Sequence, residues 1–148
     1  MAEDLLNEAK EELKRADHSI YISLKYTRTV DIIKNVIKRL INASDLSIHA
    51  MLTHLKEKKK IKTIPVGGRP RAELVAEKLP EFKKFVRFYA QLRDISKASF
   101  ERKEEYKKNV ALVITLRQQR IDVDIEQLKH YYMIVINFLE HVERIVLK

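Results

Sequence analysis

The sequence has no cysteine and no tryptophan, and its 148 residues include only 2 glycines and 3 prolines. Without thiols there is no disulfide-stapled secreted scaffold and no cysteine nucleophile. Scarce glycine removes the phosphate-cradling loops. The single pair, Gly67-Gly68, runs into Arg69-Pro70 and fits neither the Walker pattern nor GxGxxG, and no GxSxG elbow occurs. Neither HExxH nor the ExxH of di-iron bundles is found, so no cofactor is expected. No stretch of about 18 uncharged apolar residues exists. The opening MAEDLLNEAKEELKRADH is acidic and then amphipathic, unlike a secretory leader. A soluble, cytoplasmic protein with no membrane partner is the expectation.

What remains is a chain rich in charge (34%) and in evenly spread apolar residues (45%), too hydrophobic for disorder. A single domain of this length buries roughly 68–70% of its unfolded surface and needs no staple. Abundant Lys, Glu and Ile with no Cys is compatible with a thermophilic source.

Helical periodicity dominates. Leu5, Leu6, Ala9, Leu13 and Ala16 space a first helix over residues 2–18, with acid early and base late to suit the helix dipole. Residues 19–29 fit a strand or continued helix; continued helix with a break near Thr27–Thr29 is favoured, Thr29 capping the next helix. Over 30–58, Val30, Ile33, Val36, Ile37, Leu40 and Ile41 make a stripe. It resumes at Ile48, Met51, Leu52 and Leu55 beyond a polar shoulder at Asn42, Ser44 and Asp45.

Residues 59–71 break the pattern as a basic Pro/Gly loop. Helix resumes at Ala72, and Pro80 opens another bearing Phe82, Phe85, Val86, Tyr89 and Leu92. Residues 97–108 read as polar helix, and 109–123 as a small β-hairpin whose turn lacks Gly or Asn. Asp124 and Gln127 resemble a capping box for a last helix to about Leu147. The expected fold is therefore mainly α, a single-domain bundle of four to six helices with a small β-hairpin near 109–123.

The positive charge is concentrated. Lys56, Lys58, Lys59, Lys60, Lys62, Arg69 and Arg71 face Glu57 alone within residues 56–71, and they supply most of the chain's net +9. Such a segment suits phosphate neutralisation or plain solvation. A second basic group, Lys83, Lys84, Arg87 and Arg93, shares a helix with Phe88 and Tyr89, which suit either base stacking or the core. Asp45 and His49 lie four apart with His54 a turn on, open to a surface metal site or a simple Asp–His contact. His18, His130 and His141 flank apolar stripes as structural histidines.

The helix order EDLLNEAKEELKRADHSIYISLKY, then TVDIIKNVIKRLINASDLSIHAML, then a closing amphipathic helix, resembles the HEPN class of small bacterial and archaeal helical proteins. Catalytic members of that class are ribonucleases with an Arg followed, after four to six residues, by a His. Here Arg15 to His18 is too short, and Arg39 to His49 and Arg120 to His130 are too long. The resemblance therefore implies a non-catalytic, often dimeric, interaction module.

The expected function is accordingly that of a non-enzymatic interaction protein, a homodimer or a binder of a protein partner. Its closing helix is apolar on two stripes (Leu128, Val135, Leu139 and Val142; Ile125, Tyr132, Ile136 and Ile145), which calls for two neighbours. The alternative is RNA binding through residues 56–71 and the helix around Lys83 to Arg93.

Overall fold

In the computed structural model, which describes residues 1–148, helix α1 spans Ala2–His18. It continues through a π-helical segment, Ser19–Ser23, and a last turn, Leu24–Tyr26. Leu6, Ala9, Leu13, Ala16, Ile20 and Leu24 are its buried stripe, and Leu5 lies only half in. The helix stops where Thr27 turns extended. Thr29 Oγ1 then accepts the Ile32 N–H (3.4 Å), and Glu105 Oε2 accepts that of Val30 (2.9 Å). Two of the four unpaired donors at the start of α2 are thus satisfied.

Helix α2 (Val30–Glu57) is the axle of the molecule: its 28 residues extend about 42 Å. It packs against α1 and against every later layer, so it is buried on more than one face. Of the polar shoulder only Ser44 belongs to that core; Asn42 is exposed and Asp45 half-buried. Ser44 and Ser47 are fully buried, and their hydroxyls donate to the Leu40 and Ala43 carbonyls (2.8 Å each), leaving no unmet polar atom where another helix approaches closely.

Beyond the loop come α3 (Gly68–Lys78), a 3-10 turn at Pro80–Phe82 and α4 (Lys83–Lys97). The loop is therefore shorter than residues 59–71: Pro70 sits in the first turn of α3, where a missing N–H costs nothing. The expected hairpin forms, with β2 (Ala111–Leu116) pairing β3 (Gln119–Asp124) around Arg117-Gln118. It carries a third strand, β1 (Phe100–Lys103), antiparallel to β2 with Phe100 opposite Ile114. The polar helix expected over 97–108 is not there; α4 ends at Lys97.

Helix α5 (Ile125–Val146) closes the chain, its first turn capped by Asp124, which accepts the Gln127 N–H at 2.8 Å. It packs on α1 and α2, and aromatic contacts tie it to α4: Phe85 stacks on Phe138 (centroids 3.7 Å apart) and Phe88 meets Tyr131 edge-on at 5.5 Å. Ile125, Tyr132, Ile136 and Ile145 are half-buried against the same core. Both apolar stripes of α5 thus find neighbours inside one chain. No helix is long and apolar enough to cross a membrane.

Candidate nucleic-acid interface

The basic segment begins where α2 ends. Lys59 adopts a left-handed conformation (φ 60°). The Lys60 N–H reaches the Leu55 carbonyl (2.9 Å) and the Lys59 N–H the Lys56 carbonyl (3.0 Å). This is a Schellman ending, in which the role usually given to glycine falls to a lysine. Ile61 then turns into the core, 9% exposed. Further on, Arg71 Nε donates to the Pro65 carbonyl at 2.7 Å, so the loop backbone is held at both ends.

Lys56 in the last turn of α2, Lys58, Lys59 and Lys60 at its ending and Lys62 just past Ile61 are all exposed. No ion pair or side-chain hydrogen bond reaches any of them. The two arginines of the segment behave differently. Arg71 is committed to the loop's own backbone and Arg69 is paired with Asp94. On α4, Lys83, Lys84 and Arg87 are exposed and unpaired, but Phe88 is half-buried and Tyr89 fully buried, so these aromatics belong to the core. Arg93 turns inward.

Arg93 joins a cluster that the sequence did not announce. The Tyr89 hydroxyl donates to Asp45 Oδ1. Arg93 Nη1 donates to the Tyr89 oxygen at 3.2 Å and lies 4.0 Å from Asp45 Oδ2. Gly68, the first residue of α3, rests directly on this trio. The one usable signal was the spacing of Tyr89 and Arg93, which places both on one face of α4. Asp45 therefore bonds to Tyr89 rather than to His49, and no three His, Cys, Asp or Glu side chains are grouped to hold a metal.

Burial raises the Asp45 carboxyl above the usual aspartate value of 3.8, against the opposing pull of the Tyr89 hydrogen bond, Arg93 and Arg71. Burial also raises the Tyr89 hydroxyl, and burial and then Arg71 lower His49. A carboxyl with a raised value in the folded state binds protons more tightly there than when unfolded. Its contribution to stability is then full at low pH and is lost as pH rises from 3.8 through its folded value. We expect Asp45→Asn, which keeps an acceptor for Tyr89, to be at least as stable as the parent at pH 7. The difference should close as pH falls towards 3. Thermal melts of both proteins across that range check this; a gap independent of pH would contradict the shift.

The chain matches no protein-family model, no curated protein and no solved structure.

Proposed function

We propose that the protein is a binding module for the sugar–phosphate backbone of a nucleic acid. Lys56, Lys58, Lys59, Lys60 and Lys62 supply the contacts, and no catalytic step is involved. The observation behind this is that five exposed lysines, none paired with a carboxylate, cluster at the end of α2, four of them on its hydrogen-bonded last turn and ending and Lys62 just past the buried Ile61. A solvated loop kept basic for solubility needs no such ending. Catalysis has less support: Arg120, one half of the Arg–His pair considered from sequence, is engaged with Asp122 at 2.7 and 3.2 Å.

Fluorescence anisotropy of labelled RNA and DNA between 50 and 300 mM salt tests the proposal. Log affinity should fall linearly with log salt, by about 0.7–0.9 for each phosphate neutralised. Replacing Lys58, Lys59, Lys60 and Lys62 together by alanine should flatten that slope by roughly 3 and weaken binding similarly for every sequence. Absence of binding, or tight binding indifferent to both salt and these substitutions, would overturn the assignment.

Self-association is a second reading, supported by the exposure of Tyr21, Ile22 and Tyr26 at the end of α1 and of Met133 on α5, which packs beside that segment. Sedimentation at several concentrations decides it; a monomer throughout the micromolar range would defeat it.

A further inference from the structure

A separate cavity of about 430 Å³ opens between α4 and the β2–β3 hairpin. That volume falls within the range of small-ligand sites, about 300–1,000 Å³. Three arginines from distant parts of the chain line it: Arg69 from the first turn of α3, Arg87 from α4 and Arg117 from the hairpin turn. Asp94 is the only carboxylate in its wall and is paired with Arg69. No ion pair reaches Arg87 or Arg117. All three arginines are exposed, so water screens their repulsion, and an anion seated between Arg87 and Arg117 would meet two guanidinium groups that no carboxylate occupies.

The hairpin turn carries a second sign. Arg117 and Gln118 both lie in the left-handed region, at φ 51° and 68°. A two-residue turn of this kind favours Asn-Gly or Asp-Gly, and other residues there are strained by about 1–2 kcal/mol each. The sequence places an arginine where asparagine would be easier, and that arginine borders the cavity. Strained residues of this kind gather at ligand sites.

We propose that this cavity binds a phosphomonoester, its phosphate held by Arg87 and Arg117. The group that carries the phosphate would lie against Leu116 and Ile121, within reach of the Gln91 and Gln119 amides. Planar guanidinium forks match phosphate oxygens two at a time. The net charge of the wall suits a monoester, about −1.5 to −2 at pH 7, better than the single charge of a backbone diester. This site goes beyond the lysine-loop reading and does not depend on it. Its ligand is either a free mononucleotide or the phosphorylated end of a nucleic acid.

Isothermal titration with AMP, adenosine and inorganic phosphate tests the site, alongside anisotropy with one oligonucleotide carrying a 5′-phosphate or a 5′-hydroxyl. AMP should bind and adenosine should not. The 5′-phosphate should strengthen oligonucleotide binding, and whichever of AMP and the phosphorylated oligonucleotide binds more tightly identifies the source. Arg87→Gln and Arg117→Asn should each weaken the phosphorylated probe by about tenfold or more. Arg117→Asn fits the turn better, so it should melt at the parent's temperature or above while binding falls, which separates loss of ligand from loss of fold. Alanine at Lys58, Lys59, Lys60 and Lys62 should leave AMP affinity within about twofold, since none of these borders the cavity. Equal affinity for AMP and adenosine, indifference to both arginine substitutions, or no binding of any phosphorylated probe at millimolar concentration would overturn the proposal.

Discussion

Alanine at position 68 should destabilise the fold by about 2–3 kcal/mol, although it adds a single methyl group to the start of a helix. An alanine Cβ there would lie 2.7 Å from Arg93 Nη1 and 3.2 Å from Asp45 Oδ1, and would overlap the Tyr89 hydroxyl. Tyr89 cannot yield, because its ring is fully buried and its oxygen is engaged by Asp45 and Arg93. The strain is relieved only by lifting α3 off α2 and α4 or by breaking the Tyr89–Asp45 hydrogen bond. Alanine's better helix propensity, at most about 1 kcal/mol, offsets part of this. Urea denaturation of parent and variant measures the difference, and a variant as stable as the parent would show that α3 does not seat tightly on the trio. The neighbouring glycine is needed for another reason. Gly67 lies at φ 103°, ψ 147°, near a region that side-chain-bearing residues avoid, and it turns the chain into α3.

Phe138→Ala should be costlier still, about 3–5 kcal/mol. Phe138 is 4% exposed, stacks face to face on Phe85 and takes the edge of Phe82 at 5.1 Å. Its removal takes away the main aromatic joint between α5 and the segment from Pro80 to Lys97. A domain of this size has about 5–15 kcal/mol of stability in all, so the loss is a large share. Phe88, half-buried beside Tyr131, is the control: alanine there should cost clearly less. Chemical denaturation of both variants gives the ranking; equal losses would mean that the Phe85–Phe138 stack is not the principal contact.

The helices were legible because their apolar residues recur at helical spacing, and the caps at Thr29 and Asp124 because an oxygen three residues ahead of a free N–H is a local signal. The hairpin was legible from the apolar run at Val110–Ile114 despite its unfavourable turn. Strand β1 was hidden. It is an edge strand exposed at Glu101, Arg102 and Lys103, joined to β2 through backbone bonds that leave no mark on side-chain pattern. The π-helical segment of α1 was hidden too, since it keeps Ile20 and Leu24 inward much as an α-helix would. Charge reads well along a chain and poorly across it. The five lysines are neighbours along the chain and all stay exposed and unpaired, whereas Arg69 and Arg71, read with them from the sequence, turn to Asp94 and the Pro65 carbonyl. The cavity formed by residues 69, 87 and 117 depends on tertiary placement that no local pattern encodes.

The Schellman ending at Lys59, the buried Ile61 and the Arg71–Pro65 contact have one more effect. Freezing a floppy chain on a ligand takes about 1–2 kcal/mol per residue, and here folding has already met that entropy. The backbone at the end of α2 is set before a polyanion arrives, while the exposed lysine side chains keep their rotamer freedom, so encounter should be governed by diffusion and the electric field rather than by backbone rearrangement.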